Sequence, residues 1–127
     1  MVFERYLAKE WPSYIVGPDL EVVRFGASHP VDAGVYFMFD DDSRLIYIGQ
    51  SLGISLRLAQ HHWAGRRCAG FGAVSVPWPL FRSIETAYIH ALEPPLNRKY
   101  LRPECPDVHE QIVEAIRAKW AETLVEA

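Results

Sequence analysis

A chain of 127 residues, half of them hydrophobic and 13% aromatic, has the apolar mass for one folded domain with its own core and is not disordered. No apolar run approaches the roughly 20 residues of a bilayer-spanning helix, and MVFERYLAKEW has acidic residues where a leader has an apolar stretch. Cys68 and Cys105 make no disulfide framework, so a cytoplasmic protein with no membrane contact is expected.

The net charge of −3 is unevenly spread. Between Arg44 and Pro103, eight basic residues meet only Glu85 and Glu93, a balance of +6, while both ends are acidic. A basic middle fits one face turned to phosphate, and it fits equally an arginine-coated surface.

In chain order, Val2, Phe3, Tyr6, Leu7 and Trp11 recur at helical spacing, and Pro12 stops that helix. Glu21–Phe25 reads as a short extra strand and Gly26–Ala33 as a loop. Residues 1–33 carry no visible chemistry and are expected to pack on the core as an N-terminal extension.

Gly34–Phe39 and Arg44–Gly49 are strand-like runs of aromatic and β-branched residues, with Asp40-Asp41-Asp42-Ser43 as the turn. A four-residue loop pairs Phe39 with Arg44, Met38 with Leu45 and Tyr36 with Tyr47. That register places two phenols side by side on one face. Phe37 opposite Ile46 and Val35 opposite Ile48 form the core face.

A helix follows over about 52–63, with Leu52, Leu56 and Ala59 as its buried stripe and Gly65 beyond its end. Arg57 and His61, four apart, share another face. Arg57 is either a phosphate-holding fork or an arginine lying over the core. His61 is either a phosphate contact or proton donor, or a histidine favoured by the helix dipole. Residues 64–73, AGRRCAGFGA, read as a loop in which Arg66 and Arg67 suit backbone phosphates. Val74–Trp78 alternates as a third strand, with Pro77 marking an edge or an end.

The next helix, about 80–92, has Phe81, Ile84, Tyr88, Ile89 and Leu92 on one stripe, and Glu85 falls inside it. A carboxylate there needs a partner: an ion pair with Arg82 or Arg57, or a divalent cation. Pro94-Pro95 ends the helix. Asn97 is either a turn residue or a hydrogen-bonding brace across the site, and Arg98, Lys99 and Arg102 extend the basic surface. Residues 106–124 form an amphipathic helix with Val108, Ile112, Ile116, Trp120 and Leu124 on one face. The expected fold is α+β: a small three-stranded antiparallel sheet flanked by helices, its core spanning 34–103 and residues 104–127 adding the last helix of the same domain. His61, His62, Cys68 and Cys105 lack zinc-ligand spacing, and the Asp40–Asp42 turn lacks an EF-hand's loop length.

Gly34-Val35-Tyr36 followed by Tyr47-Ile48-Gly49 resembles the two-tripeptide signature of the GIY-YIG nuclease superfamily. Ser51–Arg57 is similar to that family's strand-to-helix step with its arginine, Glu85 to its metal-ligating glutamate, and Asn97 to its motif asparagine. The resemblance spans about residues 34–98. It implies a metal-dependent endonuclease hydrolysing DNA phosphodiester bonds at Tyr36, Tyr47, Arg57 and Glu85, with Asn97 beside them; His61 joins these catalytic candidates through the helix face it shares with Arg57. It also implies Mg²⁺ at Glu85, with Mn²⁺ accepted, and products ending in 5′-phosphate and 3′-hydroxyl. A phenol near pKa 10 needs positive charge to act as a base, and Arg57 and the cation are expected to supply it. Gln50, Arg66, Arg67, Arg98 and Lys99 are the expected nucleic-acid contacts. Many relatives carry lysine where this chain has Gln50, which removes a charge. The alternatives are a non-catalytic nucleic-acid-binding module with a degenerate site, and a scaffold with a buried Glu85–arginine pair. Specificity is expected from residues 1–33, the 64–73 loop or a partner protein.

Overall fold

The computed structural model of the protein describes residues 2–66 and 68–126, those from 122 onward as backbone only. Among them, strands β1 (Val22–Arg24), β2 (Gly34–Phe39), β3 (Leu45–Ser51) and β4 (Gly70–Ser75) form one antiparallel sheet in the order β1-β4-β2-β3. Helices α1 (Val2–Glu10), α2 (Ile54–Trp63), α3 (Phe81–Leu92) and α4 (Pro106–Glu126) pack around it. The class is α+β as expected, but the sheet has four strands, not three. The extra strand at Glu21–Phe25 forms as β1 and pairs with β4, Val23 opposite Phe71. β4 itself starts at Gly70, inside the segment read as loop, because GFGA carries too few large side chains to show a strand's alternation. β4 lies between β1 and β2, so Pro77 follows a strand end and marks no sheet edge.

The hairpin register also differs from expectation. Asp40 Oδ1 accepts the main-chain N–H groups of Asp42 and Arg44 at 2.9 Å each, and the Asp40 N–H donates to Arg44 O at 2.9 Å. This tighter turn pairs Phe39 with Leu45, a slip of one. The register then shifts between Met38 and Phe39, leaving Ile46 as the extra residue, so Met38 pairs with Tyr47, Phe37 with Ile48 and Tyr36 with Gly49. One slip would have put the two tyrosines on opposite faces; the bulge adds a second and restores the common face.

The two faces of the sheet serve different ends. Val35, Phe37 and Ile48 enter the larger core with Leu7, Leu80, Ile84, Tyr88, Ile112 and Ile116 from α1, α3, α4 and the turn before α3. Burying each such side chain contributes about 1.5–3 kcal/mol. Tyr88 ties this core to residues 14–16: its hydroxyl donates to Tyr14 O and accepts the Val16 N–H, both at 2.8 Å. α4 buries Val108, Ile112 and Ile116 as its periodicity predicts, and Trp120 Nε1 donates to Val16 O at 3.0 Å. Leu124, expected on the same face, lies outside the residues whose side chains are described. No helix of the described residues is long and apolar enough to cross a membrane.

On the opposite face, Tyr36, Met38 and Phe71 receive α2. The buried residues of α2 are Ile54, Leu58 and His61; Leu52 and Leu56, expected inside, are 68% and 63% exposed. The helix start fixes this rotation. Asp32 O accepts the Ile54 N–H at 2.7 Å, and Asp32 Oδ1 accepts both the N–H and the hydroxyl of Ser55 at 2.9 and 2.8 Å. Gly53 stands at the N-cap, and a carboxylate from outside the helix thus supplies the side-chain acceptor that glycine lacks.

Candidate active site

Tyr36 and Tyr47 lie diagonally on the α2 side of the hairpin, their ring centroids 6.2 Å apart. Tyr36 is almost wholly buried and lies over Gly49, its partner across the ladder. A Cβ at position 49 would fall on the Tyr36 hydroxyl and ring. The glycine ending the second tripeptide is therefore the space that the first tripeptide's tyrosine occupies.

His61, 4% exposed, reaches this pair from α2: its Nε2 is 2.8 Å from Tyr36 Oη, and its ring meets that of Tyr47 edge-on at 4.8 Å. The end of the helix brings a further group. Gly65 is left-handed, its N–H donates to His62 O, and the Arg66 N–H returns to His61 O, both at 3.0 Å. This Schellman closure folds Arg66 back, so that Arg66 Nη1 lies 2.8 Å from His61 Nδ1 and the guanidinium carbon 5.9 Å from the Tyr47 ring centroid. A guanidinium can only donate. Nδ1 therefore accepts, the ring proton sits on Nε2, and Nε2 donates to Tyr36 Oη. Burial, then the charges of Arg66 and Arg57, hold His61 below its ordinary pKa and keep that neutral tautomer. The hydroxyl proton of Tyr36 is left to point at another acceptor.

Neither phenol is lowered by the residues around it. Burial raises Tyr36, helped by Tyr47 and Glu85, and outweighs the pull of Arg57 and Arg66. Burial and then Glu85 raise Tyr47 against the same two arginines. With the groups present here, both tyrosines hold their protons.

Glu85 approaches from α3 and is 9% exposed. Its Oε1 accepts from Gln50 Nε2 at 3.1 Å, and among the described residues it has no ion pair with Arg82 or Arg57. Burial raises its pKa, opposed by the Gln50 hydrogen bond, Arg82 and Arg57. A buried carboxylate held by one neutral amide is a hard oxygen donor, and among the described residues no cationic side chain is in ion-pair contact with it. Among the described residues no group of three or more His, Cys, Asp or Glu could hold a metal ion. A cation here would keep most of its shell as water, which suits Mg²⁺ or Mn²⁺ and not zinc.

The other expected residues divide. Arg57 is exposed, donates from Nη1 to Gln60 Oε1 at 3.3 Å, and bears electrostatically on Tyr36, Tyr47, His61 and Glu85. Gln50, expected on nucleic acid, is turned inward to Glu85. Asn97 is outside the cluster. Its Oδ1 accepts the Ile48 N–H and its Nδ2 donates to Ile48 O, both at 2.9 Å, and the Leu96 N–H donates to Ile46 O at 3.0 Å. It clamps the outer edge of β3 beside Tyr47 and is a positioning residue. Arg98 and Lys99 line a cleft with Asn97, His90 and Tyr100 beyond α3. Arg67 lies outside the described residues. Arg44 pairs with Asp40 and Asp42 in its own turn. The sequence reading missed Arg66 as the group that orients His61, although Gly65 just past a helix end is the signal for such a closure.

Comparison with protein-family models, with curated proteins and with solved structures yields no match for this chain.

Proposed function

We propose that this protein is a metal-dependent endonuclease that hydrolyses DNA phosphodiester bonds at the Tyr36–Tyr47–Arg57–Glu85 cluster. The observation that carries the reading is Glu85: a buried carboxylate, without an ion pair among the described residues, whose charge bears on both phenols and which itself feels the charge of the exposed Arg57. The resemblance of residues 34–98 to the GIY-YIG nucleases supports it. A Mg²⁺ ion bound at Glu85 supplies charge neutralisation and a water of lowered pKa. Arg57 offers a planar, permanent charge for the non-bridging oxygens of the phosphate. Tyr36, its oxygen accepting from His61, turns its own proton toward a phosphate oxygen or the attacking water, and Tyr47 offers a second neutral donor. These phenols enter as hydrogen-bond donors that orient the reactants.

Gln50 favours a second reading. Its amide already partners Glu85 Oε1, which suits a module that binds nucleic acid without metal or cleavage, with an affinity that falls steeply with salt.

Incubation of supercoiled and branched DNA with the protein in Mg²⁺ or Mn²⁺, beside Glu85→Ala and Tyr47→Phe, separates the two. The nuclease reading expects nicking by the wild type and loss of about 10²-fold or more in each folded variant. Salt-sensitive binding with no cut in either metal overturns it in favour of the second reading.

A further inference from the structure

Arg66 also lines an open cleft of about 430 Å³, built from three distant segments of the chain. Phe25 comes from the N-terminal extension, Asp41 from the hairpin turn, and His62, Arg66 and Cys68 from the end of α2 and the loop after it. Main-chain bonds hold these walls together: the Phe25 N–H donates to Ala69 O at 3.0 Å, and the Ala69 N–H to Phe39 O at 2.9 Å. The hairpin turn is fixed by Asp40, and Gly65 closes the helix end. These bonds tie the walls of the cleft to the sheet, the hairpin turn and the end of α2.

Its lining combines three chemistries. Phe25 and His62 face each other with centroids 5.3 Å apart and a tilt of 30°, which gives an aromatic wall. Arg66 uses one guanidinium nitrogen on His61 and retains other N–H donors. The Asp41 carboxylate makes no side-chain hydrogen bond or ion pair among the described residues, whereas Asp40 and Asp42 are engaged with Arg44. A flat π-system flanked by a guanidinium and an unengaged carboxylate matches one nucleotide: the base against the aromatic wall, its N–H edge on Asp41, and its phosphate toward Arg66.

We propose that this cleft is a subsite for a single unpaired nucleobase bearing an amino group, joined to the tyrosine cluster through Arg66, which lines the cleft and contacts His61. The inference rests on the nuclease reading and makes it more specific. A base stacked in a duplex cannot enter a recess between loops, so the cleft takes an unstacked one. The substrate class is then DNA with an unpaired nucleotide beside the cut, as at a flap, a bulge or a branch. Guanine, with adjacent N1–H and N2–H donors, is the best match for a carboxylate, and thymine, which presents mainly acceptors, is the worst. Residues 1–33 thereby acquire a function, because Phe25 is their contribution to recognition.

The test needs neither metal nor cleavage, so it is separable from failure of the nuclease reading. Glu85→Ala protein is titrated with dGMP and, separately, dTMP while backbone amide resonances are followed. The proposal expects shifts at Phe25, Asp41, Gly65 and Ala69, with dGMP binding about fivefold or more tighter than dTMP. Asp41→Asn should level the two nucleotides, and Phe25→Ala should weaken both by about fivefold or more. Shifts confined to Arg57 and Tyr47 and equal for both nucleotides would reveal a phosphate site only and overturn the proposal. Absence of any shift would overturn it as well.

Discussion

At the residue scale, Glu85 sets the terms of the site. A carboxylate that is 9% exposed and held by one amide costs stability unless a cation joins it. Glu85→Gln keeps the shape and can still pair with Gln50, so without metal the variant should be more stable. The expected gain is about 1 kcal/mol, or roughly 3–6 °C in Tm for a domain of this size. Added Mg²⁺ should then raise the Tm of the wild type and leave that of the variant unmoved. Thermal unfolding with and without Mg²⁺ checks both parts; a less stable variant, or an equal response to the metal, would count against a cation at Glu85. Glu85 was legible in the sequence because a charge inside an apolar helical stripe is conspicuous. The linked roles of His61 and Arg66 were not, since their contact depends on how the end of α2 closes and not on their spacing from the tyrosines.

Elements show where local patterns suffice and where they do not. α3 and α4 each have one apolar stripe and bury it. α2 has two candidate stripes, and a capping carboxylate from Asp32 decides that Ile54, Leu58 and His61 face the sheet. The hairpin was readable as a hairpin, but its register depends on side-chain bonds from Asp40 and a bulge at Ile46, neither of which loop length encodes. β3 is the outer strand, and Asn97 covers part of its open edge. Asn97→Ala removes two hydrogen bonds to Ile48 and should cost about 1–2 kcal/mol. Amide exchange at Ile48 should quicken while exchange at Phe37, in the sheet interior, follows only the global change. Unchanged protection at Ile48 would mean that the clamp does not hold the strand.

At the scale of the whole molecule, one sheet separates two environments: a large apolar core under α3 and α4, and a smaller face beneath α2 that carries Tyr36, Tyr47 and His61, while Glu85 reaches Gln50 from α3. The apolar half was legible from periodicity. The polar half was legible as a set of residues, while its protonation pattern follows from burial in the folded molecule. Two histidines on different faces, His61 and His109, are buried and held below their ordinary pKa, chiefly by burial. The unfolded chain binds protons at these positions from about pH 6.5 downward while the folded one resists, so stability should fall as pH drops through that value. Glu85, with its raised pKa, works in the opposite direction, so the comparison belongs in the Glu85→Gln background. Denaturant unfolding at pH 7.5 and 5.5 should give a lower stability at 5.5, and equal or greater stability there would contradict the neutral-histidine assignment. The central claim, hydrolysis at the tyrosine–glutamate cluster, is tested most directly by incubating an end-labelled flap oligonucleotide with the wild type in Mg²⁺ and analysing the cut ends. A break with 5′-phosphate and 3′-hydroxyl termini, absent with Glu85→Gln, is the predicted result. An intact strand under conditions where the protein binds it, or cleavage that survives Glu85→Gln, would contradict the account.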